Sequence, residues 1–209
     1  EKEQAVGIKS VTDGEYRRES FHFDFINQIG GIQTNFNLKS AFAQGEKTKA
    51  GGEKAVPLTV EIKARMPLPA AGIGVENYKY LASVASGDST PKVTTPSPTM
   101  THFRGGRDAI SREAYPELED FFADLSALYR QEISLLAEAG CKYIQFDDTN
   151  LAYLCDTKMR QDARDRGEDP DELPRTYAAL INDCIGERPD DRAACIHLCR
   201  GNARSLWFA

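Results

Sequence analysis

Long hydrophobic runs and basic tracts are absent from the sequence. No apolar stretch approaches the ~20 residues that a membrane-spanning helix requires, and the opening residues, EKEQAVGIKSVTDGE, lack the charged-then-apolar order of a secretory signal. The 26 Lys and Arg residues are spread along a chain of net charge -6, which does not suit nucleic acid. These absences predict a cytoplasmic protein that binds neither membranes nor nucleic acid.

Cysteine pairs of the kind that staple small secreted domains are also absent. The five cysteines are an odd number, and Cys195 and Cys199 are four residues apart in a stretch with the pattern of a strand. This is typical of reduced thiols in a cytosolic protein. A chain of 209 residues can fold around one core without disulfides. We expect a single domain over residues 1–209, and the absence of an initial Met predicts that the natural protein starts earlier.

Hydrophobic periodicity predicts strands that alternate with helices. A short strand is expected to end in SVTDGEYRR (10–18), with further strands over residues 56–67, 91–98, 141–148 and 193–199. Helices are expected over residues 74–85, between Pro116 and Gly140, and over residues 151–165 and 171–186. Residues 21–32 read as a short packed helix or an irregular loop. Residues 34–56 are polar and rich in Gly and Lys, which predicts a mobile insertion.

This alternation is typical of a parallel sheet with outer helices. Polar residues follow several of the predicted strands, and a (β/α)8 TIM barrel collects its active site from the carboxyl ends of many strands. A doubly wound sheet would use fewer ends, near its switch point. The pattern therefore favours the barrel. Only about five strands are predicted, and a complete barrel takes ~250 residues, so the barrel is expected to be incomplete, without its first and last strands.

His197 and Cys199 are two residues apart on a predicted strand, so both side chains point to the same face. Imidazole and thiolate together form a donor set that zinc prefers. For a lone H-x-C motif, a buried cysteine beside a core histidine is the more frequent outcome, because so short a spacing arises easily by chance. His22 and His102 lie in loops without a paired ligand and are not expected to bind metal. The missing ligands are expected after Ala209.

Acidic residues also follow predicted strands. Asp147 and Asp148 come directly after YIQF, where carboxylates are costly unless one is solvated, caps the next helix or binds a cation. Capping by Asp148, or by either of the two residues after it, explains one acid and leaves Asp147 without a structural role. Glu15 is ambiguous in the same way, because an ion pair with the arginines that follow it would account for it.

The loop PSPTMTHFRGGRD (96–108) carries hydroxyls, a histidine, two arginines and paired glycines. It is not a phosphate-binding P-loop, because the glycine spacing and the following Lys-Ser/Thr are absent. A loop that contacts substrate and a merely exposed loop are equally compatible with this composition.

Four motifs occur in order, TDGEYRR, TTPSPTMTHFRGG, YIQFDDTNLAYLCD and IHLCRGNARS. Together they resemble the catalytic domain of cobalamin-independent methionine synthase, most closely the short single-barrel members of that superfamily. The resemblance extends over nearly the whole chain, and the last two motifs are the specific ones. It implies a (β/α)8 barrel in which His, Cys, Glu and a second Cys bind zinc, which activates a thiol for alkyl transfer.

The resemblance also implies roles for individual residues. His197 and Cys199 match the zinc pair, Asp147 matches the acid that holds the amino group of homocysteine, and Glu15 matches a second acid at the same substrate. The family's Glu and second Cys come from later strands, after the end of this chain. A first strand with a substrate-binding Ser likewise precedes its beginning.

The activity that follows is zinc-dependent methyl transfer to a thiol such as homocysteine, in methionine biosynthesis, with a donor of the folate or methylcobalamin type. Relatives open epoxides with a different thiol, so an epoxide-to-thiol alkyltransferase is an alternative. A further alternative is a non-catalytic truncated homologue that binds a small molecule or a partner subunit. If the chain ends at Ala209, its exposed edge strands favour homo-oligomers. A decarboxylase of the uroporphyrinogen type is disfavoured, because its chemistry has no use for an H-x-C pair.

Overall fold

The computed structural model describes residues 2–35 and 59–200 of the chain. The strands are β1 (Ser10–Val11), β2 (Ile32–Thr34), β3 (Val60–Ile62), β4 (Thr90–Pro96), β5 (Tyr143–Asp148) and β6 (Ala193–Leu198). The helices are α1 (Lys2–Ala5), α2 (Phe23–Ile26), α3 (Val75–Val84), α4 (Leu118–Glu138), α5 (Asn150–Tyr153), α6 (Thr157–Asp165) and α7 (Leu173–Ile185). Two 3-10 turns, Pro98–Thr101 and Gly106–Ala109, follow β4.

Four of the strands form a parallel sheet in the order β1-β4-β5-β6. The connection from β4 to β5 runs through α4, and the connection from β5 to β6 runs through α5, α6 and α7. Adjacent parallel strands need crossovers of this kind, because the chain must return to the same end of the sheet before the next strand begins. The predicted α/β class with a parallel sheet is confirmed.

One face of the sheet is covered by helices. Ile144 and Phe146 of β5 belong to the main buried cluster, together with apolar residues of α4 such as Phe121 and Leu125. Burying each such side chain stabilises the fold by about 1.5–3 kcal/mol. The helix-covered face is therefore the hydrophobic core of the described chain.

The opposite face of the sheet is polar. Because side chains alternate along a strand, the residues between the core positions all point to this second face. They are Lys92 and Thr94 of β4, Tyr143, Gln145 and Asp147 of β5, and Cys195 and His197 of β6. We call this the polar face, and it carries most of the residues predicted to bind substrate or metal.

Helix α4 matches the predicted helix closely. Its apolar residues recur on one side and are buried against the sheet, as the 3.6-residue period requires. The helix begins at Leu118 with Glu117 as its N-cap, so Pro116 precedes the helix instead of lying in its first turn. Gly140 has a φ of +96° and ends it in the left-handed conformation that glycine tolerates.

The segment 56–67 is the main departure from the predicted elements. Of its described residues, 59–67, Val60–Ile62 form a strand, which pairs antiparallel with β2 outside the four-stranded sheet. The alternation is present, since Val60 and Ile62 are buried and Glu61 is partly exposed. Residues 36–56 of the predicted insertion lie outside the described residues.

The helix-covered face is incomplete at β6. Ile196 is 39% exposed and Leu198 is 53% exposed, although both share the face of the buried Ile144 and Phe146. In the described part of the chain, helical cover of the sheet therefore ends before β6. Across the same ranges, none of the helices has the length and hydrophobicity needed to traverse a bilayer.

Candidate functional site

The polar face is organised in layers by the strand register. Asp147 pairs with Pro96 on one side and with His197 on the other. The layer below holds Thr94, Gln145 and Cys195. Because the strands are parallel, their carboxyl ends meet at one edge of the sheet, and Asp147 and His197 lie side by side there.

The H-x-C pair lies at the end of β6. His197 is the fifth residue of that strand and is exposed, whereas Cys199 follows the strand and is partly buried. The Cys199 N–H donates to the Asp148 carbonyl oxygen at 2.8 Å, which extends the strand pairing to this residue. The backbone thus holds the thiol close to the end of β5.

The donor set of His197 and Cys199 suits zinc in its chemistry, because imidazole nitrogen and thiolate sulfur are its usual ligands. Two protein ligands do not complete a zinc site. Among residues 2–35 and 59–200, no three or more His, Cys, Asp or Glu side chains cluster closely enough to hold a metal ion. A site built on this pair would take its other ligands from elsewhere.

Asp147 is partly buried on the polar face. Its Oδ1 accepts a hydrogen bond of 2.7 Å from Gln145 Nε2. Burial raises the pKa of Asp147, while the Gln145 hydrogen bond and the nearby His197, Arg18 and Lys92 side chains oppose that shift. Desolvation is the largest of these effects, so the net shift of the Asp147 pKa is upward.

Glu15 has an uncommon backbone conformation. Its φ is +61°, directly after Gly14 with a φ of +64°, and a left-handed non-glycine residue costs about 1–3 kcal/mol. The Glu15 N–H donates to Asp13 Oδ1 at 2.9 Å, and Glu15 Oε1 accepts from Thr94 Oγ1 at 3.2 Å. These contacts hold the strained residue against β4, on the polar face.

Arg18 ties the loop after β1 to the end of β4. It donates to the Thr94 carbonyl oxygen at 3.0 Å and to Thr94 Oγ1 at 2.8 Å, and it forms ion pairs with Asp13 at 3.4 Å and Glu15 at 3.6 Å. The predicted local ion pair of Glu15 is thus present with Arg18. Arg17 instead donates to Asn77.

Asp148 has a structural role. Its side chain is fully buried, with Oδ2 accepting from Thr99 Oγ1 at 2.6 Å and Oδ1 accepting from the Leu151 N–H at 2.8 Å. The second bond caps a free N–H in the first turn of α5, although Thr149 holds the N-cap position, and capping is one of the roles expected for this acid. Asp147 and Asp148 point to opposite faces, so the two adjacent acids lie in different surroundings.

Much of the loop after β4 is internal and does not face solvent. Thr99, Thr101 and His102 are buried, and Asn150 Nδ2 donates to Thr99 Oγ1 at 2.8 Å. His102 Nδ1 lies 2.9 Å from the Tyr177 hydroxyl. These side chains anchor the loop, which leaves its exposed Arg104 as a candidate for contact with a ligand.

A cavity of about 320 Å³ adjoins Cys199. It is lined mainly by aromatic and apolar side chains, among them Phe21, His22, Phe23, Met100 and Tyr153, with Arg104 also contributing. Burial, with a contribution from the Arg104 charge, lowers the pKa of His22 to about 4. His22 is therefore neutral at physiological pH and adds an uncharged ring to the cavity wall.

The sequence analysis missed Lys92 and Gln145, and it missed the contact of Arg18 with β4. Lys92 and Gln145 could have been found from strand alternation, because residues two apart on a strand share a face. Gln145 is two residues before Asp147, and Lys92 is two residues before Thr94. The contact of Arg18 with Thr94 gave no such signal, since the two residues are 76 apart in the chain.

Comparison with known proteins identifies relatives of the whole chain. No protein-family model matches it. The uncharacterized protein YxjH of Bacillus subtilis (strain 168) is 36% identical over 209 residues, and the uncharacterized protein YxjG of the same organism is 37% identical over 210 residues. Each alignment covers 100% of this chain and 52% of the relative. The chain thus spans about half the length of the curated relatives it matches.

Two solved structures share the fold. A protein of Listeria monocytogenes, provisionally assigned as a vitamin-B12 independent methionine synthase, has a TM-score of 0.72 and 32% sequence identity, covering 96% of this chain and 52% of that one. A B12-independent methionine synthase from Shewanella sp. W3-18-1, solved in complex with selenomethionine, has a TM-score of 0.64 and 19% identity, covering 97% and 50%. The resemblance carried by the four motifs is therefore confirmed, and over nearly its whole length this chain is similar to B12-independent methionine synthase-like proteins.

Proposed function

We propose that this chain provides part of the active site of a zinc-dependent thiol methyltransferase, within a (β/α)8 barrel. The supporting observation is the pairing of Asp147 with His197 at the carboxyl ends of adjacent parallel strands, in a chain similar to B12-independent methionine synthase-like proteins. A substrate-binding acid and a metal ligand are thereby within reach of one small molecule. Homocysteine, which carries both a thiol and an ammonium group, is the acceptor that suits this pair.

His197 and Cys199 are the proposed zinc ligands of this chain. A bound zinc ion would supply the acidity that deprotonates a thiol near neutral pH and would fix the position of its sulfur. The backbone bond from Cys199 to Asp148 holds the second ligand at the end of β5. The pair thus brings the thiol site next to Asp147.

Asp147 and Glu15 bind and orient the acceptor in this proposal. Each carboxylate would attract the substrate ammonium group, and fixing that end of the molecule sets the direction of its sulfur. Neither residue needs to transfer a proton. The aromatic cavity beside Cys199, of about 320 Å³, offers space for the methyl-bearing part of a donor of either the folate or the methylcobalamin type, and not for a whole cobalamin.

Metal content tests the proposal directly. The full-length protein is purified, and zinc is measured by elemental mass spectrometry in the wild type and in a His197→Ala, Cys199→Ser double variant. Cys195→Ser is the matched control, because Cys195 lies on the same face of the same strand but outside the H-x-C motif. We expect about one zinc per chain in the wild type and in the control, and loss of zinc in the double variant.

Methyl transfer to homocysteine is then assayed with each donor class. Zinc that persists in the double variant, or a wild type without zinc, would overturn the assignment of the metal ligands. If the zinc-loaded protein instead transfers an alkyl group from an epoxide to a thiol other than homocysteine, the epoxide-to-thiol alkyltransferase alternative is correct. A protein that binds homocysteine without reaction would identify the non-catalytic one.

A further inference from the structure

A lysine side chain lies on the polar face, in a position where the fold alone gives it no role. Lys92 is partly buried in β4, and its Nζ donates to Gln145 Oε1 at 3.0 Å. The Tyr143 ring also lies near the ammonium group, with its centroid 5.7 Å away. Burying part of a lysine costs free energy unless its ammonium group is paired or hydrogen-bonded. The contact with Gln145 therefore needs an explanation.

Lys92 determines the orientation of the Gln145 amide. An ammonium group can only donate hydrogen bonds, so it must face the oxygen of the amide and not its nitrogen. Gln145 Nε2 consequently points the other way, and it donates to Asp147 Oδ1 at 2.7 Å. The three residues form a directed chain, Lys92 to Gln145 to Asp147, that rises through three successive layers of the polar face.

The chain constrains the carboxylate at its end. The terminal torsion of an aspartate has a broad distribution when nothing holds it, and the bond from Gln145 fixes one of its two oxygens. Within the described residues, Asp147 Oδ2 has no hydrogen bond from another protein group. One oxygen is thus held, and the other is left for a ligand.

We propose that Lys92 and Gln145 are positioning residues that hold Asp147 so that its second oxygen receives the ammonium group of the acceptor thiol. The inference rests on the proposed function and extends it, since it concerns selection for amino-bearing thiols. Neither residue touches substrate. Their effect is to prepare the carboxylate before binding, which reduces the entropy lost when the substrate is ordered.

A pair of substrates isolates this role. Homocysteine and 4-mercaptobutanoate have the same thiol, chain length and carboxylate, but only homocysteine has an ammonium group. The ratio of their kcat/KM values measures recognition of that group in the full-length protein. Groups that orient a ligating side chain are typically worth about 10–100-fold, so we expect Lys92→Met and Gln145→Met to reduce the ratio by at least about tenfold, mainly through the KM for homocysteine.

Two further variants keep the test decisive. Gln145→Glu leaves Lys92 with an acceptor and protects the fold, but it replaces the N–H donors with a carboxylate that repels Asp147, so the ratio should fall here too. Tyr143→Phe is the control, because it lies on the same face and keeps the ring beside Lys92. Its ratio should match the wild type.

The outcomes separate the two proposals. If the variants lose activity equally with both thiols, Lys92 and Gln145 have only a structural role and the positioning inference is wrong, while the proposed function stands. If the ratio in an Asp147→Asn background still falls on adding Lys92→Met, the effect does not pass through Asp147, and the inference is again wrong. If the wild type methylates neither thiol with either donor class, both proposals fail.

Discussion

Asp147 and His197 are paired in register across β5 and β6, so a carboxylate and an imidazole from different strands share one edge of the sheet. The 49 intervening residues, which include α5, α6 and α7, return the chain to the start of the neighbouring strand. Asp148, by contrast, faces the helices and supports the fold. We therefore expect substitutions of these two neighbouring acids to have opposite effects, on function at Asp147 and on stability at Asp148.

Asp147→Asn should separate stability from function. Burial raises the pKa of Asp147, so its charge opposes folding, and asparagine still offers an oxygen to Gln145. We expect the free energy of unfolding to change by less than about 0.5 kcal/mol, and the KM for homocysteine to rise by at least about tenfold. Urea unfolding and steady-state kinetics measure the two effects. A large loss of stability would show that Asp147 is structural.

Asp148→Ala should give the reverse pattern. The substitution removes the acceptor for the Leu151 N–H and the shorter of two acceptors for the buried Thr99 hydroxyl. The N–H is left without a partner, and the hydroxyl keeps only its 3.2 Å contact with Ser97 Oγ. We expect a loss of about 2–4 kcal/mol of unfolding free energy, visible as a lower urea midpoint. Asp148→Asn, which keeps an oxygen for one donor, should lose less. Equal stability of Asp148→Ala and the wild type would contradict the capping role.

Glu15→Gly should not destabilise the protein. The left-handed φ of Glu15 is relieved by glycine, and the lost ion pair with Arg18 involves a Glu15 side chain that is 37% exposed, where such pairs contribute about 0–1 kcal/mol. Binding of homocysteine, measured by calorimetry, should nevertheless weaken. Glu15→Gln keeps the backbone strain and the side-chain length, so it serves as the control for loss of charge alone.

Acidification should destabilise the fold through His102. Burial, followed by the positive charges of Arg166 and Arg107, lowers the pKa of His102 to about 4, even though Glu168 Oε1 lies 3.3 Å from its Nε2. Because the folded state binds this proton less readily than the unfolded state, the stability is complete above pH ~6.5 and is lost as the pH falls towards 4.

The slope of this loss should approach about 1 kcal/mol per pH unit for each such histidine. His22, whose pKa is also lowered to about 4 by burial, contributes in the same direction. Chemical unfolding at pH 7, 6 and 5 measures the slope. His102→Gln should reduce it, whereas a slope unchanged by the substitution would show that other groups control the acid response.

The agreement between sequence and structure is best where local patterns dominate. The period of α4 and its end before Gly140 are local properties, and both appear as predicted. The strand over residues 56–67 was predicted too long, and its pairing with β2 was not predicted. Strand pairing is set by partners distant in sequence, so periodicity alone does not reveal it.

What the sequence by itself determined is the repertoire of elements, the α/β class and the motifs that carry the resemblance to methionine synthase-like proteins. Each of these depends on residue types and short spacings. Only the tertiary structure decided which acid is available to a ligand, because the pleat of β5 turns Asp147 and Asp148 to opposite faces. It likewise brought Lys92 to Gln145 and Arg18 to Thr94, contacts that arise only when β4 is packed between β1 and β5.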